Sequence, residues 1–278
     1  MKFAKPRFRF SSIMLVLGLL FLYVPMLVLV VYSFNASKLV TVWSGFSTQW
    51  YGELFRDEQI LSAIWMSLRI AFFSASMAVC LGTIAAFVMT RYGKFRGKTA
   101  LSTMITAPLV MPEVITGLSL LLLFVQMAQI TGWPADRGMA TIWIAHTTFC
   151  SAYVAVVVAA RLREIDRSIE EAAMDLGSPP MKTFFFVTLP IIAPALVAGW
   201  LLAFTLSLDD LVIASFVSGP GANTLPMVVF SSVRMGVSPK INALATLIIL
   251  AVSLATLLAW YFMRRNEAKR QQMLKASG

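Results

Sequence analysis

The chain has 278 residues, 59% of them hydrophobic and only 13% charged, with a mean hydropathy of +0.80. Soluble domains carry about 25% charged residues, so this balance excludes a soluble globular protein and points to an integral membrane protein. A net charge of +10 raises the question of nucleic acid, which the placement of the charges answers below.

A membrane-crossing helix needs about 20 mostly apolar residues. Six stretches qualify: 11–34, 61–90, 99–125, 139–160, 190–217 and 241–263. They use most of the length, and the gaps between them leave no room for a soluble catalytic domain. The basic segment 1–10 is similar to the start of a signal peptide, but the apolar run behind it exceeds the usual length of about 7–15 residues and lacks a small-x-small cleavage site. It reads as an uncleaved first span. Cys80 and Cys150 fall inside spans two and four, with no CxxC or His neighbour, which argues against a disulfide scaffold or a metal site.

Basic residues gather before span one (Lys2, Lys5, Arg7, Arg9), after span two (Arg91, Lys94, Arg96, Lys98), after span four (Arg161, Arg163, Arg167, Lys182) and in the tail 264–278 (Arg264, Arg265, Lys269, Arg270, Lys275). The other loops hold few: Lys38 and Arg56, then Arg137, then Arg234 and Lys240. This alternation follows the positive-inside rule, which puts both termini in the cytoplasm. The charge therefore faces anionic membrane lipid, and no nucleic-acid partner is expected. A seventh crossing within 211–240 would put the basic tail outside, and Gly219-Pro220-Gly221 and Leu225-Pro226 cut that region below spanning length. Residues 218–240 are expected to form an extracytoplasmic, partly helical loop.

The same rule places the loop 161–189 in the cytoplasm. Leu162, Ile165, Ile169, Ala172 or Ala173, and Leu176 share the spacing of one helical face, and Arg167 stands three and four residues before Glu170 and Glu171. Gly177 occupies a C-cap position. Ser178 can cap a second helix with Pro179 at its first position, giving a short helix over 181–187 before Leu189-Pro190 turns the chain into the membrane. Two uses are open for such an element: an amphipathic loop resting on headgroups, or a docking helix for a soluble partner. Small Ala172 and Ala173 allow close approach, and acidic Glu170, Glu171 and Asp175 are poorly suited to an anionic surface.

Here the chain resembles the permeases of bacterial ABC importers, which carry a cytoplasmic motif of EAA, three residues, G, nine residues, I-x-L-P. Glu171-Ala172-Ala173, Gly177 and Leu189-Pro190 match, with Val187 in place of the isoleucine. The stretches PLVMPEVITGLSLLLLF from Pro108 and FTLSLDDLVIASFVSGPG from Phe204 are similar to permeases of the spermidine/putrescine group, nearest to those of putrescine importers. The resemblance covers nearly the whole chain. It implies an all-α, six-span permease domain (11–263) of the type I importer fold in the bacterial inner membrane. It further implies a coupling role for 161–189, a second homologous permease, an ATPase dimer that binds ATP and Mg, and an extracytoplasmic polyamine-binding protein. No cofactor is expected in this chain. Gly93-Lys94-Phe95-Arg96-Gly97-Lys98-Thr99 imitates the phosphate-binding GxxxxGK[ST] loop, but three residues separate its glycines and no strand precedes it.

Glu113, Asp209, Asp210, Arg69 and His146 fall inside the expected spans. An Asp at mid-membrane costs about 2.5–3.5 kcal/mol on insertion scales, so such residues pair, face a cavity or line a pathway. If Arg69 neutralises one acid, two negative charges remain for a dication such as putrescine. The alternatives are that Glu113, Asp209 and Asp210 pair with bases of another subunit or cap broken helices, and that Asp209 and Asp210, toward the outer end of span five, are simply solvated. His146 reads as a packed, hydrogen-bonded histidine. An ion-driven transporter would also use buried carboxylates but leaves the EAA loop unexplained, and an assembly subunit would use the loop but leave the carboxylates idle.

Overall fold

The computed structural model describes residues 6–39, 42–236 and 238–276. Lys2 and Lys5, and the side chains of Arg7, Arg9, Lys269, Arg270 and Lys275, lie outside the described residues. The fold is all-α; among the described residues the one β feature is an isolated bridge between Asn35 and Phe46. Among the described residues six helical stretches are long and apolar enough to cross a membrane: Phe10–Tyr32, Glu58–Arg91, Glu113–Thr131, Met139–Glu164, Pro180–Asp209 and Pro239–Leu258.

The chain divides into two compact units. One joins the N-terminal part to the C-terminal helix: α1 (Pro6–Tyr32) and α2 (Gln49–Leu54) both pack on α12 (Pro239–Ala276). Asn35 organises the segment between α1 and α2. Its amide donates to Val42 O (2.7 Å) while its Oδ1 accepts from Ser37 N and Ser44 N (3.2 and 3.0 Å). Trp50 Nε1 donates to Asn35 O (2.6 Å), and Lys240 at the start of α12 pairs with Asp57 (3.2 Å).

The other unit, Gln59–Phe230, holds the core. At its centre is α6 (Met139–Glu164), which buries Ile142, Ala145, Phe149, Cys150, Val154, Val158 and Leu162 along its length. Val154 fills a notch between two glycines. A Cβ at Gly82 of α3 (Glu58–Arg91) would meet its side chain at 2.8 Å, and one at Gly199 of α9 (Leu189–Asp209) would meet it at 3.4 Å. Small residues at such crossings let backbones approach, which is how helices associate where lipid offers no hydrophobic drive. Cys150 is buried and Cys80 exposed, and both are free.

The expected third span, 99–125, is two helices. α4 (Lys98–Val110) ends at Met111, which is extended (φ −74°, ψ 136°), and α5 begins after Pro112 and runs Glu113–Thr131. Pro112 has no N–H to continue α4 and pushes Met111 out of the helical region. Pro108 is accommodated inside α4. The expected fifth span, 190–217, likewise ends early: α9 stops at Asp209, Asp210 is extended (ψ 124°), and a separate helix α10 (Val212–Val217) follows.

The expected turn at Leu189-Pro190 is absent. Helix α8 (Pro180–Thr183) starts with Pro179 as its N-cap rather than Ser178, then passes through a π-helical turn, Phe184–Thr188, straight into α9. Pro190 cannot donate to Phe186 O four residues back, and the extra residue of a π turn lets the helix continue past this point. Between α10 and α11 (Leu225–Met235), the segment at Gly219 lies against the start of α6, where an added Cβ would strike Arg137 O. Leu225 N donates to Ser67 Oγ of α3 (2.7 Å), so this part of the expected outer loop packs on the helices.

Candidate coupling loop and intramembrane acid site

Helix α7 (Arg167–Asp175) carries the EAA residues. Asp166 caps its first turn, accepting from Ser168 N at 3.0 Å, and these bonds hold the Asp166 carboxyl below its usual pKa. At the far end Gly177 takes φ +89°. Its N–H donates to Met174 O (2.9 Å) and Ser178 N to Ala173 O (3.1 Å), the two bonds of a Schellman motif. The bend therefore needs a left-handed residue, and glycine supplies it without strain.

The acids on α7 divide by environment. Glu170 faces inward: its Oε2 is 2.8 Å from Arg91 Nε at the end of α3, and its Oε1 accepts from Thr188 Oγ1 (2.8 Å) at the end of the π turn. The Arg91 and Glu170 side chains are only 9% and 12% exposed. Among the described residues Arg91 Nε and Nη2 have no hydrogen-bond partner, so Arg91 and Glu170 are held as an ion pair by proximity of charge. Arg167 Nη2 adds a bond to Thr90 O (2.6 Å). Glu171, Ala172, Asp175 and Gly177 are exposed, Ala173 is half-buried, and Leu176 stands out at 90% exposure. Between α7 and the ends of α3 and α8 lies a cavity of about 330 Å³, lined by Phe87, Arg91, Glu170, Glu171, Met174 and Phe184 among others. The loop is thus a braced element that displays small, acidic and apolar side chains outward.

The intramembrane acids gather at the two helix breaks. Glu113 is exposed in the first turn of α5, directly after the Met111-Pro112 break. Asp209 is exposed at the last position of α9, and Asp210 is the break itself. The breaks adjoin because α5 packs on α10: a Cβ at Gly117 would meet Ile213 Cα at 3.3 Å and Phe216 at 2.7 Å. Gly117 is one turn past Glu113 and Ile213 one turn past Asp210, so both breaks stand beside a single backbone contact. Irregular backbone at membrane depth, as at these two breaks, is tolerated only where protein or a lined cavity receives it.

Asp210 differs from its neighbour. Its carboxylate accepts from Ile213 N (3.3 Å) and Ala214 N (2.7 Å) and lies 3.1 Å from His146 Nε2. His146 Nδ1 is 2.7 Å from Ser207 Oγ. All three are buried, at 8%, 1% and 5% exposure. The residues are those of a hydrolytic triad, but the ring is reversed, with the serine on Nδ1 and the acid on Nε2, and the hydroxyl is sealed in the core, so the arrangement is structural. Arg69 lies over the Trp65 ring at 4.9 Å, and among the described residues no ion pair joins it to Glu113, Asp209 or Asp210.

Residues 78–272 match the family described as binding-protein-dependent transport system inner membrane component. The chain belongs to this family. It is 69% identical over 258 residues to the putrescine transport system permease protein PotI of Escherichia coli (strain K12), covering 93% of this chain and 92% of that protein. It is 40% identical over 249 residues to the spermidine/putrescine transport system permease protein PotC of the same organism, covering 90% and 91%. A bacterial ABC transporter involved in the import of the acidic polysaccharide alginate shares the fold, with a TM-score of 0.72 at 16% identity, covering 94% of this chain and all of that one.

This inner-membrane permease is therefore a multi-pass transport component with the type I importer fold, and the reading as a non-transporting assembly subunit falls away. The matched region contains the braced loop and both helix breaks. Sequence reasoning singled out Glu170, Asp210 and His146 singly. It missed that Glu170 is a strut and that Asp210 joins His146 and Ser207, because these contacts bridge 18 to 79 positions. Period alone gives no sign of such pairings.

Proposed function

We propose that this chain is one permease subunit of an ATP-driven importer of putrescine or a related polyamine, with both termini in the cytoplasm. It forms half of a translocation pathway with a second homologous permease. The 69% identity to PotI carries the substrate reading, and the chemistry of the paired breaks supports it. Glu113 and Asp209 offer two exposed carboxylates, and the ends of α4 and α9 add carbonyls, a set suited to the two ammonium groups of a diamine. Asp210 is engaged in the fold and acts by holding the break.

An ATPase dimer binds ATP and Mg, and loop 161–189 docks on it through Glu171, Ala172, Ala173, Asp175 and the Gly177 bend. Glu170 belongs to the loop as its brace to α3 and α9. Motion of the docked loop passes through Arg91 and Thr188 into those helices, which carry it toward the acids, and an extracytoplasmic binding protein delivers the polyamine. The test is ATPase stimulation in the purified complex by binding proteins loaded with a panel of polyamines and with amino acids. Stimulation by putrescine or spermidine forms is expected; stimulation only by an unrelated cargo overturns the substrate reading.

A further inference from the structure

We propose that His146 is a positioning residue for transport: by clasping both sides of the α9–α10 break it sets where the Asp209 carboxylate stands. The inference rests on the reading that Asp209 lines the pathway. Ser207, two residues before Asp209, is 2.7 Å from one ring nitrogen, and Asp210, one residue after, is 3.1 Å from the other. The imidazole on α6 thus holds the chain on either side of the exposed acid. Neutral imidazole satisfies both contacts at once, with Nε2–H donating to Asp210 and Nδ1 accepting the Ser207 hydroxyl.

The rest of the break is fixed to the same or adjoining helices. Asp210 also accepts from Ile213 N and Ala214 N, so its side chain sets the start of α10. At the other end of α10, Thr141 Oγ1 donates to Val217 O (2.7 Å) and Arg137 Nη1 to Phe216 O (3.3 Å). Gly117 of α5 fits against Ile213 and Phe216 with no room for a side chain. Asp209 is exposed at the end of α9 between these tethers, and the backbone held on both sides sets where its carboxylate stands. A buried histidine is costly to keep polar, and both of its nitrogens are spent on a segment whose exposed member is an acid.

The test is a double-mutant cycle on polyamine uptake by the assembled transporter, using His146→Phe, which keeps ring volume and removes both polar contacts, and Asp209→Asn. His146→Phe is expected to raise KM about 10-fold with kcat changed less than about 2-fold, and His146→Gln, which can both donate and accept, to recover most of that loss. In the Asp209→Asn background His146→Phe is expected to add little. Should His146→Phe fail to assemble, Ser207→Ala removes one arm of the clasp and is expected to raise KM about 3-fold, again only when Asp209 is present. If Asp209→Asn is impaired and the clasp substitutions add in full on top of it, the positioning role is overturned while the pathway reading stands. If Asp209→Asn transports like the unmodified protein, the pathway reading itself falls and the inference with it.

Discussion

Replacing Glu170 with Ala separates bracing from docking. The change leaves Arg91, 9% exposed at its side chain, without its counter-charge and removes the acceptor for Thr188 Oγ1. Breaking a buried ion pair from one side costs about 3–5 kcal/mol. The 330 Å³ cavity beside the pair lets water reach the orphaned guanidinium, which favours the lower end, about 3 kcal/mol. The loss falls on the attachment of α7, because Glu170 ties it to Arg91 of α3 and to Thr188 of the π turn, leaving only the Arg167 bond to Thr90 O among the side-chain ties described above. Hydrogen exchange reads it directly: at 1.36 kcal/mol per factor of ten, amides of 167–178 should exchange about 10²-fold faster, while those of α6 hold their rate. Uptake per ATP hydrolysed should fall in the same variant. Glu171→Gln, on an exposed carboxylate, should leave exchange unchanged and weaken co-purification of the ATPase. Equal protection of 167–178 in Glu170→Ala and the unmodified protein refutes the brace.

Gly177→Ala places a Cβ in the left-handed region, where about 1–2 kcal/mol of strain is expected although nothing lies within 4 Å, and lower ATPase retention at unchanged expression is the readout. Asp209→Asn should insert and assemble normally yet lose most polyamine uptake, with Glu113→Gln acting in the same direction; normal uptake by both variants contradicts a charge-lined path. The Asp166 cap has a pH signature. Its folded pKa is lowered from 3.8, so its contribution is present above that value and is lost as pH falls through the depressed folded value. Exchange of the first α7 amides should rise only in that acid range, and Asp166→Asn should abolish the dependence.

Membrane class, six spans and the bend after the EAA residues were legible because each has a local signature: few charges, apolar length, and a glycine four residues past Ala173. The Gly177 bend came out as expected, with its left-handed φ and paired bonds. Span ends were less legible. Both breaks lie inside long, mostly apolar stretches, and Pro112, Glu113 and the Asp209-Asp210 pair mark them only as isolated residues that a continuous helix can also carry. Proline positions misled in both directions: Pro112 ends α4, whereas Pro190 is absorbed by a π turn. The histidine was expected to be packed and hydrogen-bonded, and it is, but its partners lie 61 and 64 positions away. Asp209 and Asp210, adjacent and chemically identical, have opposite environments because one follows the end of a helix outward and the other caps the next helix.

ATP-driven polyamine import by a complex that includes this chain is checked by labelled putrescine uptake into proteoliposomes holding the full complex, with ATP sealed on the loop 161–189 side and the loaded binding protein on the other. Uptake that requires both ATP and the binding protein, and persists when ionophores collapse every ion gradient, is the predicted result. Uptake that follows an imposed proton or sodium gradient in the absence of ATP would contradict it.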